Sequence, residues 1–253
     1  MSGHSKWSTI KRQKGATDIK RGQTFTKIAN TIAIAVKLGG SGDPNSNPRL
    51  RMAMEGAKSV NMPNANVQRA IERGLGQGKE ALEEVIYEGF GPGHVAFIVE
   101  GVTDNRLRTN QEIKSIFERN GGSLAGQGSV SYMFTKIGEI RVISHQSSVI
   151  SKEDEILQLI DLGADDVEDY EEENTQKYLV YIEDSELNTM GTKITQAGFE
   201  IESQELVMKP KTTQQITNKE LAEKVINFVE KLEENEDVQK VYSNFDIPEG
   251  IIG

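Results

Sequence analysis

The chain has 253 residues, 36% hydrophobic and 27% charged, with a formal net charge of −10, enough apolar material for two or three packed domains. With no Cys it has no disulfides, thiolate metal sites or cysteine nucleophiles, and its three scattered His (His4, His94, His145) lack metal-ligand spacing. No apolar run approaches the roughly 18 residues of a membrane span, the N-terminal stretch has no apolar leader core, and the cytosol is the expected compartment.

The first 78 residues depart from the average charge: they hold 13 Lys and Arg against four acids, a net of +9, while the other 175 carry a net of −19. Such a division implies a basic element for a polyanion, carried by acidic domains. An arm, residues 1–17, bears Lys6, Lys11, Arg12 and Lys14 around Trp7, the only Trp. Between 18 and 38 the apolar residues Phe25, Ile28, Ile32, Ala35 and Val36 recur at helical steps, and Gly39-Gly40 ends the run. Lys20, Arg21, Lys27 and Lys37 lie off that stripe. Asn47-Pro48 is an N-cap and N1 pair opening a second helix, with Leu50, Ala53, Met54 and Ala57 inward and Arg49, Arg51 and Lys58 flanking them. Met62-Pro63 stops it, and a short third helix turns Val67, Ala70 and Ile71 inward before Gly74. A small helical bundle with a basic exterior is the expected product.

This assigns phosphate contacts to Lys6, Lys11, Arg12, Lys14, Lys20, Arg21, Lys27, Arg49, Arg51 and Lys58, since each neutralised phosphate releases counterions and adds sequence-independent affinity. A solvated surface is the ordinary explanation of any single Lys, but not of thirteen bases against four acids. Trp7 has two readings: stacking on an unpaired base, worth about 1–3 kcal/mol, or burial as the anchor of the arm. The next segment, RGLGQGK (73–79), has the wrong spacing for a phosphate loop and follows a helix, so it reads as a linker.

Beyond it, 85–88 and HVAFIVE (94–100) read as hairpin strands joined by Gly-rich turn residues. Asp104 is placed to cap a helix bearing Ile113, Ile116 and Phe117 that ends at Asn120-Gly121-Gly122, and a strand over 129–134 follows. Next come a strand (139–143), a helix opened by Ser151 with Ile156, Leu159 and Ile160 inward, and strands near 166–170 and 178–182. A helix (184–197) and a strand (199–206) complete βαββαβ, the ferredoxin-like order. After KPKTTQQ, a helix capped by Thr217 (Leu221, Val225, Phe228, Val229, Leu232) and a strand (238–242) complete the αβ sandwich begun at 79. The class is therefore α+β in three domains: a basic helical bundle (1–78), a discontinuous αβ domain (79–136 plus 207–253), and an acidic ferredoxin-like domain (137–206) inserted into it.

Three features of the body invite a functional reading. Arg106 and Arg108 stand in the first turn of a helix, where cations are disfavoured by about 0.3–1 kcal/mol; a bound anion or RNA relieves this, and so does pairing with Asp104 or Glu112. GGSLAGQGS (121–129) offers bare backbone N–H groups for phosphate, although as a helix C-cap and loop it needs no ligand. Residues 151–186 hold 14 acids and two bases without calcium-loop spacing, and read as a solvated face that repels nucleic acid. No catalytic residue, metal or cofactor is assigned.

GHSKW (3–7), KRGQTFTK (20–27), DPNSNPRLR (43–51), NMPNANVQRAI (61–71), YEGFGPGHVAFIVE (87–100), TDNRLRT (103–109), GSVSYMF (128–134) and VYSNFDIP (241–248) together resemble the YebC/PmpR family. The likeness is dense over 1–134 and returns at 241, while 137–206 matches in pattern only. His94 and Leu107 depart from the usual family pattern and receive no role. The resemblance implies three domains, one helical and two αβ, and a cytosolic non-enzyme that binds DNA, or RNA on the ribosome. Bacterial members are described as probable transcriptional regulators, and a mitochondrial relative resembles a translational activator of cytochrome oxidase synthesis. The leading reading is a non-enzymatic, nucleic-acid-binding regulator of gene expression. Its alternatives are a ribosome-associated factor that binds ribosomal RNA and assists synthesis of difficult nascent sequences, and an enzyme on a phosphorylated substrate using Arg106, Arg108 and the Gly loop. Nucleic acid is the expected partner, with no membrane and no small-molecule substrate.

Overall fold

The computed structural model describes residues 18–77, 82–144, 151–172, 174–248 and 250–251, with residues 18–21 and 77 as backbone only. They fall into two compact units: one runs from Met133 to Thr213, and the other holds the chain on either side of it, through Tyr132 and again from Gln214.

In the larger unit, α1 (Asp18–Gly39) packs its apolar stripe against α2 (Pro48–Ser59) and α3 (Asn64–Glu72). Ile32, Val36, Leu50, Ala53, Ala57 and Ile71 form the buried core, where each large aliphatic contributes about 1.5–3 kcal/mol. One amide joins the helix ends. Asn47 caps α2 by accepting from the Leu50 N–H (3.1 Å), and it donates to the carbonyls of Ala35 and Ser41 (2.9 Å each). Gly39 makes room for it, since a Cβ there would lie 2.3 Å from the Asn47 amide. Contrary to the linker expectation, the chain does not run free from residue 73. Arg73–Gln77 forms a wide π-type turn, and Gly74 presses against α1, where a Cβ would come 2.5 Å from the Ala33 carbonyl oxygen. A glycine that reads as flexibility serves close approach instead. Residues 78–81 lie outside the described segments.

β1 (Glu83–Phe90) and β2 (Ala96–Thr103) pair antiparallel, in register from Glu83↔Thr103 to Phe90↔Ala96. The second strand starts later than HVAFIVE suggests because His94 sits in a 3-10 turn with a φ of 60°. α4 (Arg106–Arg119) is capped by Asn105, whose side chain accepts from the Arg108 N–H (3.1 Å), and not by Asp104, whose carboxylate pairs with the Arg108 guanidinium. β3 (Ser123–Ala125) adds to β1. The strand expected from 129 begins only at Phe134: a turn and a 3-10 segment, Ser131–Met133, precede it. The Glu88 carboxylate takes the Val130 and Ser131 N–H groups that a strand would pair.

The smaller unit consists of β4 (Phe134–Ile143), α5 (Lys152–Asp161), β5 (Asp166–Glu172), β6 (Thr175–Glu183), α6 (Leu187–Gln196) and β7 (Glu200–Pro210). Its antiparallel sheet has the order β5-β6-β4-β7, the ferredoxin-like arrangement that βαββαβ implies. Periodicity turns Ile156, Leu159 and Ile160 of α5 inward; in the structure Glu155 and Leu159 are buried and Ile160 is 46% exposed. The carboxylate is drawn in because the Tyr178 hydroxyl (2.5 Å) and Ser144 Oγ (2.6 Å) both donate to it.

β8 (Gln214–Gln215), α7 (Lys219–Glu234), β9 (Val238–Ser243) and β10 (Phe245–Asp246) return the chain to the larger unit. Asn218 caps α7, one residue after the Thr217 that the sequence suggests. β9 joins β2, giving an antiparallel sheet of order β3-β1-β2-β9, and β8 pairs with β10 in parallel. Phe228 of α7 meets Phe97 and Phe117 edge-on, each at 4.9 Å, adding about 0.5–1.5 kcal/mol per pair to simple burial. The helical module packs on this sheet through Ala33 and Ile34 of α1, which cluster with Leu82 and Val102.

Candidate nucleic-acid interface

Five candidate contacts, Lys6, Trp7, Lys11, Arg12 and Lys14, lie outside the described residues, and Lys20 and Arg21 enter only as backbone in the first turns of α1. The other bases of the module differ in what holds them. Lys27 is half-buried and donates to the Glu233 carbonyl at 2.5 Å, satisfying one of the open carbonyls at the C-terminal end of α7. Lys37 donates to the Leu82 carbonyl (2.6 Å), Arg69 to Asn66 Oδ1 (2.5 Å) and the Ala65 carbonyl (3.2 Å), and Arg73 to Asn30 Oδ1. Arg49 is exposed, 3.4 Å from Glu84; a surface pair of this kind is worth about 0–1 kcal/mol and yields readily to a phosphate. Arg51 and Lys58 are exposed and form no ion pair among the described residues. Seven residues apart, they share one face of α2 with exposed Glu55 between them.

Arg106 and Arg108 have separate fates. Arg108 pairs with Asp237 (2.7 Å) and Asp104 (3.0 Å), with Glu112 at 4.0 Å, and the Asp237 hydrogen bond outweighs desolvation to raise its pKa. The same Asp237 carboxylate accepts from Thr109 Oγ1 (2.6 Å) and Thr103 Oγ1 (3.2 Å). Of the two readings open for these cations, intramolecular pairing is the one that Arg108 adopts. Beside it, a cleft of about 420 Å³ sets Asp104, Glu112, Glu236 and Asp237 against Arg73 and Arg108, a net acidic lining that disfavours phosphate. Arg106 forms no ion pair among the described residues and stands next to Leu107, 78% exposed, at the start of α4.

The end of the Gly loop does meet an anion, and the anion is the chain's own: Gly128, within 121–129, donates to it together with Val130 and Ser131 just beyond. Glu88, 4% exposed, accepts from the N–H groups of Gly128 (2.8 Å), Val130 (2.6 Å) and Ser131 (2.8 Å). Burial works to raise the Glu88 pKa, but these donors outweigh it and hold the carboxyl below its ordinary range. Neither Glu88 nor Asp237 stands out in the sequence. Their only signal is an acid in a strand beside apolar residues, and an acid in a helix-to-strand turn, patterns that are ordinarily solvated.

In the unit from 133 to 213, bases pair with the acids around them. Lys177 meets Glu172 (2.6 Å) and Glu202 (2.8 Å), Lys209 meets Asp166 (2.8 Å) and lies over the Tyr181 ring, and Lys152 meets Asp169 (2.5 Å). Among the described residues no group of three or more His, Asp or Glu is placed to hold a metal ion, and no helix is long and apolar enough to cross a membrane.

Two family models match the sequence: one described as the TACO1/YebC protein N-terminal domain, over residues 5–77, and one as the TACO1/YebC second and third domain, over residues 82–245. A probable transcriptional regulatory protein of Chloroflexus aurantiacus is 49% identical over 249 residues, covering 98% of this chain and 96% of the relative. Another, from a Sulfurihydrogenibium species, is 47% identical over 254 residues, covering 100% and 98%. The crystal structure of a conserved hypothetical protein from Aquifex aeolicus matches with a TM-score of 0.82 at 41% identity, covering 92% of this chain and 93% of that one.

Proposed function

Because this chain belongs to the TACO1/YebC family, we propose that it is a non-enzymatic, nucleic-acid-binding regulator of gene expression that works in the cytosol and holds phosphates through its basic N-terminal module. The observation that carries this reading is the segregation of charge, +9 over residues 1–78 against −19 over the rest. Relatives named as probable transcriptional regulatory proteins, matched over nearly their whole length, support a role in transcription. The nucleic-acid contacts are assigned to the exposed face of α2, with Arg51, Lys58 and neighbouring Arg49, and to Lys6, Trp7, Lys11, Arg12, Lys14, Lys20 and Arg21 of the N-terminal segment. Three domains divide the work: 1–78 binds, while 79–136 with 207–253, and 137–206 between them, supply an acidic body that limits unspecific adhesion. Of the three anchors of an enzymatic site on a phosphorylated substrate, Arg108 is engaged by Asp237 and the Gly128 N–H by Glu88, while Arg106 forms no ion pair among the described residues.

One observation opens a second reading, RNA as the target, with the protein assisting translation of difficult nascent sequences on the ribosome. Glu55 stands between Arg51 and Lys58, and Gly56 beside it loosens the helix, so α2 makes a poor base-reading element. Binding by phosphate and shape suits folded RNA as well as it suits duplex DNA. In-cell crosslinking with sequencing of both bound DNA and bound RNA separates the readings. Discrete promoter peaks without ribosomal RNA are expected for the transcriptional role; crosslinks concentrated on ribosomal RNA overturn it in favour of the ribosomal one.

A further inference from the structure

Helix α5 of the unit from 133 to 213 is built against its own amphipathicity. It buries a carboxylate, Glu155 at 1% exposure, and leaves two large aliphatics in solvent, Leu157 at 58% and Ile160 at 46%. Three residues apart, these two are neighbours on one helix face, bordered by exposed Glu153, Asp154 and Asp161. The last turn of α5 holds no base of its own; Lys193 of α6 donates to the Leu162 carbonyl at that end (3.1 Å), and Asp161 stands there against the helix dipole. Around it, residues 151–186 hold 14 acids and two bases, and both bases are already paired. Folding accounts for Glu155, through Tyr178 and Ser144, and for the first-turn acids, through the dipole. Lys193 offsets the dipole beside Asp161, and Leu157 and Ile160 are left without a reason.

Exposed aliphatics rimmed by one sign of charge suit a partner with the complementary pattern. We propose that the outer face of α5 docks a basic amphipathic segment of a partner protein. Apolar residues of that segment cover Leu157 and Ile160, and its Lys or Arg side chains meet Glu153, Asp154 and Asp161. Nucleic acid is repelled by this surface, and an uncharged apolar partner leaves the carboxylates bordering the two aliphatics without a counter-charge. The geometry is that of one amphipathic helix laid against another.

The test uses the whole chain. Its probe is a labelled helix-forming peptide of Leu and Lys with Leu at three- and four-residue spacing, beside a peptide of the same composition with that spacing scrambled. Fluorescence anisotropy is expected to show tighter binding of the amphipathic peptide. Leu157→Ser with Ile160→Ser is expected to weaken it at least about tenfold, or about 1.4 kcal/mol, and Asp154→Asn with Asp161→Asn to flatten its salt dependence. The serine pair alters exposed side chains, so its melting temperature is expected to hold; Asp154→Asn gives up a favourable dipole contact and weakens the Ser151 hydrogen bond (2.9 Å), so that variant is compared well below its own transition. A spin-labelled peptide that broadens the methyl signals of Leu157 and Ile160 in the unaltered protein makes the same point with no substitution. Equal binding of the two peptides, affinity indifferent to the serine pair, or broadening away from α5 overturns the proposal. Light scattering that finds a dimer dissolved by the serine pair also overturns it, because the face then joins two copies of this chain.

Discussion

Glu88→Gln leaves one carbonyl oxygen where the cradle has two carboxylate oxygens. Turned toward Val130 and Ser131, that oxygen keeps two acceptor contacts at neutral strength, and the amide NH2 then faces the Gly128 N–H, donor against donor. A hydrogen bond to a charged group contributes about 1.5–3 kcal/mol and a neutral one about 0.5–1.5, so weakening two bonds costs about 2 kcal/mol and an orphaned donor adds about 1–3. Glu88 is 4% exposed but Gly128 lies at the surface, which places the sum near its lower end, about 3 kcal/mol. Amide hydrogen exchange reads the effect directly: Gly128, Val130 and Ser131 are expected to exchange about a hundredfold faster in the variant. The pH dependence has a definite sign. Because the folded pKa of Glu88 is lowered, its contribution is complete above the ordinary carboxyl value of 4.5 and is lost as pH falls through the lower folded value. Acid is therefore expected to release the same three amides below pH 4.5 in the parent protein, with no such step in the variant. Unchanged exchange at the three positions refutes the cradle as what holds this loop.

Asp237→Asn makes Arg108, Thr103 and Thr109 share a neutral oxygen, and a loss of about 1–3 kcal/mol is expected as a lower urea midpoint at constant slope. Nucleic-acid affinity is expected to stay level; a fall brings the acidic cleft into the interface. Lys27→Met removes the donor to the Glu233 carbonyl and is expected to lower stability by about 1 kcal/mol while the salt dependence of nucleic-acid binding holds. A smaller salt slope in this variant counts Lys27 among the phosphate contacts. Gly74→Ala drives a Cβ to 2.5 Å from the Ala33 carbonyl oxygen and is expected to cost about 1–3 kcal/mol. A variant as stable as its parent shows residues 73–77 to be a free linker after all.

Local chemistry was legible where one short segment decides it. Asn47-Pro48 and Ser151 cap the helices they announce, and the βαββαβ order carries its sheet with it. Where two cap-forming residues adjoin, as at Asp104-Asn105 and Thr217-Asn218, the pattern is ambiguous by one position; at the first, the Arg108 guanidinium in the helix's own first turn draws Asp104 away from the helix end. Alternation of Val130, Tyr132 and Phe134 reads as a strand, yet Glu88, some forty residues earlier, removes the N–H groups it needs. The rotation of α5 follows from Tyr178 and Ser144, which no helical period within the segment contains. Glycine is equally silent: Gly74 looks like a hinge whether its backbone is free or pressed on a helix. For the candidate interface, the excess of bases was visible from composition, whereas the carbonyls that hold Lys27 and Lys37 belong to residues far along the chain.

A base serves a phosphate only when nothing inside the protein holds it firmly, and this turns the interface into a measurable slope. On duplex DNA each neutralised phosphate adds about 0.9 to the fall of log affinity with log salt. Arg49, Arg51 and Lys58 alone therefore give about 2.7, while adding Lys6, Lys11, Arg12, Lys14, Lys20 and Arg21 raises the ceiling to about 8. A slope of about 3 assigns binding to the face of α2, and one of about 8 requires the N-terminal bases as well. Replacing Lys11, Arg12 and Lys14 with Glu is expected to cut the slope by about 3 and to weaken all sequences alike, because phosphate contacts position a protein without reading bases. A flat salt profile, or a loss confined to one sequence, removes phosphate contacts from the explanation and moves it to the base edges.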